Sequence, residues 1–411
     1  MHPYSSRVSG LVIALTVLGW TSWSTAAAAD PQGDAAPPQQ PMPLQNQPRN
    51  PPQSQPPNQS LKQPQNPTPQ QTQNQSPEPN PDQPYYLPPS ISLQAHDFYA
   101  RMLPIVVRQQ AARPIARTAA DFEARQRALQ VGVEEKNAPF LKQMNVSATD
   151  MRMGDVGVVE IKPLQYQDDG TILIHVHGGG FVQDSARSAV RGAALMVQAS
   201  GKRIISVDYT VAPRGRWPLV TDQLIAIYKA LLAQGHPARS IGMFGDSAGG
   251  NIVAAGVLKL RDEGLELPGA LVLMSPATDL GMGGDTFVTL RDADPVLNRT
   301  EELRAGIALY ADPAYWKNPY VSPVYGDFSK PYPPVLIQAG TKERVLSDSV
   351  RLYQAIKTAG GDAELDIYEG MTHVFQAYMM DTPEQKAAYA EIRRFWQRRL
   401  MPAKHESPAS Q

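Results

Sequence analysis

Phe244-Gly245-Asp246-Ser247-Ala248-Gly249-Gly250-Asn251 joins an apolar run to a helix-forming one. The run Ser240 to Phe244 reads as a strand and Ser247 to Asp262 as a helix. A chain turning sharply between them needs small residues on either side of the apex, since side chains there would collide. Gly245 and Gly249 meet that need and leave Ser247 at the apex, the pattern of a nucleophile elbow. A merely glycine-rich helix start would explain the glycines but not the serine.

Outward from this turn the same alternation repeats. Apolar runs at Thr171 to Val176, Arg203 to Val207, Ala270 to Met274, Pro334 to Ala339 and Ala363 to Tyr368 read as strands. Helical stretches at about Ala186 to Ala199, Pro218 to Ala233, Leu346 to Ala359 and Pro383 to Leu400 lie between or after them. Strand and helix in alternation from Met151 onward predict an α/β fold, a mostly parallel sheet flanked by helices on both faces. The segment Asp279 to Tyr332, rich in Gly, Asp, Tyr and Pro, departs from this rhythm. It is expected to cover the carboxyl edge of the sheet, where open α/β sheets hold ligands. Before the sheet, Leu93, Phe98, Met102, Leu103 and Val106, then Phe122, Ala128 and Leu129, recur at helical spacing. They predict helices lying over the core as an N-terminal cap, about residues 91–150, within an ordered domain of residues 91–402.

His177-Gly178-Gly179-Gly180 ends another apolar strand, 70 residues before Ser247. Consecutive glycines let backbone N–H groups approach a bound carbonyl and face the oxyanion formed on attack. A serine hydroxyl also needs a base, and the chain has 7 histidines. His2 falls in the N-terminal leader, His405 in the C-terminal tail, and His96 and His236 in a helix and a loop; His175 lies within a strand and His177 in the glycine loop. His373, in Gly370-Met371-Thr372-His373-Val374-Phe375, follows the last apolar strand and is the candidate base. The acid that orients it should follow the strand Pro334 to Ala339, given the chain order Ser, acid, His. Glu343 is favoured by its loop position. Asp348 is the alternative, although a carboxylate in the first turn of a helix has a ready structural explanation.

Composition narrows the partners. A net charge of -1 and a pI near 6.7 leave no basic field to gather nucleic acid, so a small neutral partner is expected. With 0 cysteines there are no disulfides, thiolate metal sites, Cys nucleophile or lipid-modified Cys. Arg7, the apolar run Leu11 to Trp20 and Ala26 to Ala29 read as a signal peptide over residues 1–29, predicting a periplasmic or secreted protein with no membrane span after cleavage. Residues 30–90 are dominated by Pro, Gln and Asn and hold about half of the 39 prolines. Such a segment cannot bury enough surface to offset its ordering entropy and is expected to be a disordered linker, as is the tail 403–411.

Taken together, these residues resemble the hormone-sensitive lipase family of α/β-hydrolase esterases. The resemblance is carried by His177 to Gly180, Asp208-Tyr209-x-x-Ala212-Pro213, Gly245 to Asn251, Ser322-Pro323 and Gly370 to Phe375, and it covers about Ile91 to Leu400. It implies the α/β-hydrolase fold with an N-terminal helical cap, no metal or cofactor, and short to medium acyl esters as substrates. It also implies oxyanion donors from Gly179, Gly180 and Ala248 with Gly178 close by, and structural roles for Asp208 and Asp222. The family acid is usually Asp in a D-P-L-x-D stretch, whereas Glu343-Arg344-Val345-Leu346-Ser347-Asp348 carries Glu and one extra residue. That form is similar to a branch of acetyl-ester or monoterpene-lactone hydrolases. Tyr209-Thr210-Val211-Ala212-Pro213-Arg214 also departs from the family's Tyr-Arg-Leu-Ala-Pro-Glu. Phe181, Trp217, Tyr315 and Trp316 are candidates to line the acyl pocket, although for aromatic residues near a cap packing is the commoner role. The chemistry expected is ester hydrolysis by Ser247; lactone opening or acyl transfer on the same three residues, and a non-catalytic binder on the same fold, are the alternatives.

Overall fold

The computed structural model describes residues 85–402. The signal peptide, the linker through residue 84 and the tail 403–411 lie outside the described residues. Three helices, α1 (Leu93–Ala112), α2 (Ala119–Gln130) and α3 (Val133–Gln143), precede a hairpin of β1 (Val146–Met153) and β2 (Val156–Pro163). Then follow β3 (Ile172–Val176), α4 (Val190–Ser200), β4 (Arg203–Val207), α5 (Trp217–Ala233), β5 (Ile241–Asp246), α6 (Ala248–Asp262) and β6 (Ala270–Met274). The chain continues through α7 (Thr286–Thr289), α8 (Thr300–Tyr310), β7 (Val335–Gly340), α9 (Leu346–Thr358), β8 (Ala363–Tyr368) and α10 (Pro383–Arg399).

The sheet has 8 strands in the order β1-β2-β4-β3-β5-β6-β7-β8. The β1–β2 and β2–β4 pairs are antiparallel and the rest parallel. Side-chain alternation sorts the core into two layers. Ile172, Ile174, Met243, Leu271, Leu273 and Ile337 face α5, α6 and α9, while Leu173, Phe244, Val272 and Leu336 face α4 and α10. Both faces of the central strands are therefore covered, which is why those strands read as continuous apolar runs.

Two expectations change here. Strand β1 begins at Val146, so the helical N-terminal part ends at α3 rather than near residue 150. Half of β1 is exposed edge (Thr149 to Arg152), so no apolar alternation marks it. Of the leading helices, the end of α1 and α2 reach the pocket through Arg113 and Phe122 and pair with Glu302 of α8 through Arg113 and Arg125. Helix α3 packs on α4 and β1. Helix α1 lies with Ile91, Ala95 and Tyr99 against Met371, Phe375 and Ala388, while α2 reaches the main core through Phe122. Pro88, which composition assigns to the linker, is buried.

The strand order reverses between β3 and β5, a topological switch point that opens a crevice at the carboxyl ends of the two strands. His177 to Gly180 follows β3 and Ser247 follows β5. The segment from Asp279 through α8 passes over this crevice and contributes Leu280, Met282, Phe287, Leu297 and Ile307 to the pocket there.

Candidate active site

Ser247 stands between β5 and α6 with φ 52 and ψ -119. Its N–H donates to Met274 O at 2.9 Å, and its carbonyl accepts from Ala277 N at 3.2 Å. The flanking glycines are required by contact: a Cβ on Gly245 would lie 2.5 Å from the Gly249 carbonyl, and one on Gly249 would lie 2.6 Å from His177 O. One turn into α6, Asn251 Nδ2 donates to Ala277 O (2.7 Å) and Val321 O (3.0 Å), tying the turn to the segments that follow β6 and α8.

His373 Nε2 lies 2.8 Å from Ser247 Oγ, and Nδ1 lies 3.1 Å from Glu343 Oε2. Both His373 and Glu343 are buried. Burial works to lower the His373 pKa, but the hydrogen bond to Glu343 and its negative charge outweigh it, and the net shift is upward from 6.5. The other oxygen of Glu343 accepts from Ser275 Oγ at 2.8 Å and from Gly340 N. Ser275 Oγ in turn accepts from Val374 N at 3.0 Å. A hydroxyl, an imidazole and a buried carboxylate in this order have the geometry of a nucleophile, a general base and the charge that orients it.

Asp348, the alternative acid, does something else. It lies in the first turn of α9, its Oδ2 accepts from Asp279 N at 2.9 Å, and its own carbonyl accepts from Thr278 Oγ1 at 3.0 Å. Burial pushes its carboxyl up to about 7, with the Asp279 charge adding to the rise.

Gly179 and Gly180 adopt φ +96° and +60°, the left-handed region glycine favours, and both line the pocket with Ser247, Ala248 and His373. Ala248 opens α6, so its N–H has no partner within the helix. Gly178 is not part of the pocket wall; a Cβ there would collide with the Asp246 carboxylate, so its small size serves packing. His177 is fully buried, holds Gly178 O at 2.9 Å through Nδ1 and stacks on Tyr209 at 4.2 Å. Desolvation lowers its pKa to about 4, which keeps it neutral. Asp208 accepts from Ala186 N at 2.9 Å, and Asp222 pairs with Lys259 at the surface.

The pocket holds about 140 Å³. Of the four aromatic residues singled out in the sequence, Phe181 lines it, stacked on Tyr310 at 4.1 Å. Trp217, Tyr315 and Trp316 lie outside its wall; Trp217 and Tyr315 pack together at 5.9 Å. Sequence reasoning missed Ser275 and Arg344. Ser275 could have been found as a polar residue directly after a wholly apolar strand, at the same sheet edge as Ser247. Arg344 carries no such signal. It is buried, donates to Phe287 O (2.8 and 2.6 Å), Leu297 O (2.7 Å) and Thr300 Oγ1 (2.9 Å), and lies 3.8 Å from the Phe287 ring centroid.

Fold and site together define an α/β-hydrolase. A profile for the alpha/beta hydrolase fold matches residues 173–377. An esterase of Acinetobacter venetianus is 34% identical over 261 residues, 62% of this chain and 84% of that protein. An acetyl-hydrolase of Streptomyces hygroscopicus is 32% identical over 222 residues, 54% of this chain and 74% of that one. Among solved structures, esterase E25 superposes with a TM-score of 0.70 at 28% identity, covering 77% of this chain and 96% of its own. An esterase from the bacterial hormone-sensitive lipase family superposes with a TM-score of 0.64 at 30% identity, covering 73% and 97%. The chain belongs to the hormone-sensitive lipase-like family of α/β-hydrolases, and it is a carboxylic ester hydrolase.

Proposed function

We propose that the chain hydrolyses short acyl esters through an acyl-enzyme on Ser247, with His373 as general base and Glu343 as the acid that orients it. The observation that carries this reading is the continuous relay from Ser247 Oγ through His373 to Glu343, at 2.8 and 3.1 Å, opening on the glycine loop. The ester carbonyl sits against the N–H groups of Gly179, Gly180 and Ala248. Ser247 Oγ attacks the carbonyl carbon while His373 Nε2 takes its proton. The tetrahedral oxyanion is held by the three N–H groups, and a donor lost from such a hole costs about 2.7–4 kcal/mol. His373 gives the proton to the departing alkoxide, so the alcohol leaves and the acyl-enzyme remains. Water then enters, His373 accepts its proton, and the acid is released with Ser247 restored. Glu343 keeps Nδ1 protonated and stabilises the imidazolium in both halves. The name of one relative, acetyl-hydrolase, supports a short acyl group.

The test is p-nitrophenyl acetate turnover combined with fluorophosphonate labelling. Ser247→Ala should lower kcat by about a millionfold and abolish the label, which mass spectrometry should place on Ser247 in the wild type. A wild-type protein that neither turns over nor takes the label would make the fold a binder. Product analysis with added alcohol would distinguish hydrolysis from acyl transfer.

A further inference from the structure

Behind the glycine loop lies a carboxyl group that the proposed mechanism does not use. Asp184 follows Phe181, Val182 and Gln183, is buried, and takes a positive φ of 70°. A non-glycine residue in that region persists where its surroundings over-determine it. Here they do. Ser188 Oγ donates to Asp184 Oδ1 at 3.0 Å and is itself fixed by accepting from Ser185 N at 2.8 Å, while Gln126 Nε2 of α2 donates to the Asp184 carbonyl. The second oxygen, Oδ2, lies against Gly179: a Cβ added there would stand 2.9 Å from it and would also meet the Gln183 carbonyl. Val182 N and Gln183 N both donate to Gly179 O, at 3.2 and 3.0 Å. The Asp184 carboxyl thus closes, from behind, the turn whose glycines line the pocket with Ser247.

We propose that Asp184 is a positioning residue for ester hydrolysis, its Ser188-held carboxyl backing Gly179 so that the Gly179 and Gly180 N–H groups stay aimed at the oxyanion. The inference rests on the reading of Ser247 as nucleophile and of the glycine loop as the oxyanion hole. Asp184 acts in this role as the uncharged acid. Burial raises its carboxyl to about 7, the Asp246 charge adds to the rise, and the Ser188 hydrogen bond opposes it. The titratable groups around it supply no compensating positive charge. Asp246 ends β5, with His175 3.8 Å beyond it. Asp208 and Tyr209 follow β4, and Tyr310 ends α8; burial holds the Tyr209 phenol well above its ordinary pKa and keeps the His177 imidazole neutral. Helix α2 presents the neutral amide of Gln126, its Arg125 being paired with Glu302. Oδ1 is engaged by Ser188, which places the proton on Oδ2, the oxygen facing the loop. A full negative charge there would oppose the oxyanion forming beyond the same peptide groups, in surroundings too dry to screen it.

The experiment measures kcat and KM for p-nitrophenyl acetate between pH 6 and pH 9, corrected for spontaneous hydrolysis, for wild type, Asp184→Asn, Asp184→Ala and Ser188→Ala. Asparagine keeps the shape of the acid and stays uncharged. Asp184→Asn should therefore match wild type closely at pH 6 and exceed it several-fold at pH 9. The titration of His373, common to both enzymes, drops out of the ratio of their kcat values, which should rise through about pH 7. Asp184→Ala, which leaves Gly179 unbacked, should lower kcat by about 10–100-fold with KM little changed, approaching the loss of about 10²–10³ that removal of a whole oxyanion donor causes. Ser188→Ala removes the bond that favours the charged form, so its decline relative to Asp184→Asn should begin at higher pH than that of wild type. A ratio that is flat or falls with pH, or equal losses of kcat in the asparagine and alanine variants, overturns the proposal; the asparagine ratio decides it even where the alanine variant fails to fold. A wild type that is inactive on every ester and unlabelled by a fluorophosphonate at Ser247 overturns the nucleophile assignment instead, a result distinct from an active, labelled enzyme with a flat ratio.

Discussion

Ser247, Ser275 and Val374 are all non-glycine residues at positive φ (52°, 49° and 55°), and all three converge on one hydrogen-bonded knot. Left-handed conformations of this kind cost of order 1–3 kcal/mol each and persist where surrounding structure over-determines them. Here they aim Ser247 Oγ at the imidazole, Ser275 Oγ at the acid, and the Val374 N–H at Ser275. In the proposed mechanism the working form of His373 is the neutral imidazole, so activity should rise as pH increases through its raised pKa. Glu343→Gln removes the charge that raises this pKa and leaves the burial that lowers it. The acid limb of the kcat profile should therefore move to lower pH, and kcat should fall by about 10⁴, as when a triad acid is replaced by its amide. Asp348→Asn should lower kcat far less and act on stability. Because the native carboxyl is raised to about 7, its stabilising protonated form is fully present below about pH 4 and is lost as pH rises toward 7. The asparagine variant should gain Tm relative to wild type at pH 8 compared with pH 4. A larger kcat loss in Asp348→Asn than in Glu343→Gln would move the acid to Asp348. Ser247 and His373 were legible, and Glu343 as the favoured of two acids, because each follows an apolar strand in a fixed chain order. Ser275 also follows an apolar strand, but its role was not legible, because nothing in the sequence shows which groups it joins, 68 and 99 residues away.

The loop after β7 links catalysis to substrate cover. Glu343 holds His373, and the next residue, Arg344, directs its guanidinium at α7 and the segment leading into α8, while its N–H donates to Asp294 Oδ2 at 2.9 Å. The guanidinium fork satisfies several acceptors at once, which a lysine ammonium cannot reproduce. Arg344→Lys should therefore loosen the roof over the pocket. KM for esters should rise several-fold while Ser247 still accepts a fluorophosphonate. An unchanged KM would show that α8 packing alone holds the roof. Elements with internal apolar periodicity, β3 to β8 and most helices, could be read in advance. The β1–β2 hairpin could not, because β1 is an edge strand whose residues face solvent over much of its length. Helix α3, with Glu134, Glu135, Lys136 and Lys142 among its 11 residues, shows little more apolar signal.

At the scale of the whole chain, the described domain starts earlier than composition suggests. Gly370, three residues before His373, is packed so that an added Cβ would meet Ile91 and Pro88, and Tyr99 OH donates to Gly370 O at 3.0 Å while accepting from Thr372 N at 3.1 Å. The N-terminal segment thus braces the loop that carries His373. Deleting residues 31–84 should leave kcat and Tm unchanged. Extending the deletion through residue 92 should lower both, by removing Pro88 and Ile91 from the brace; equal behaviour of the two truncations in a thermal melt and ester assay would show that the brace is dispensable. We also propose that the leader is cleaved on export, which N-terminal sequencing of the mature protein beginning at Asp30 would establish.

By itself the sequence determined what local chemistry and period can encode: an α/β alternation, a glycine-flanked serine at a strand-to-helix turn, a glycine loop after another strand, and a histidine beyond the last one. These depend on neighbours in the chain, so they can be read along it. Only the tertiary structure decided which carboxylate meets His373, that Ser275 and Arg344 hold the acid loop from either side, and that the leading helices brace the histidine loop, flank the sheet and reach the pocket. Those contacts join residues dozens to hundreds of positions apart, and burial, charge and shape there are properties of the folded neighbourhood.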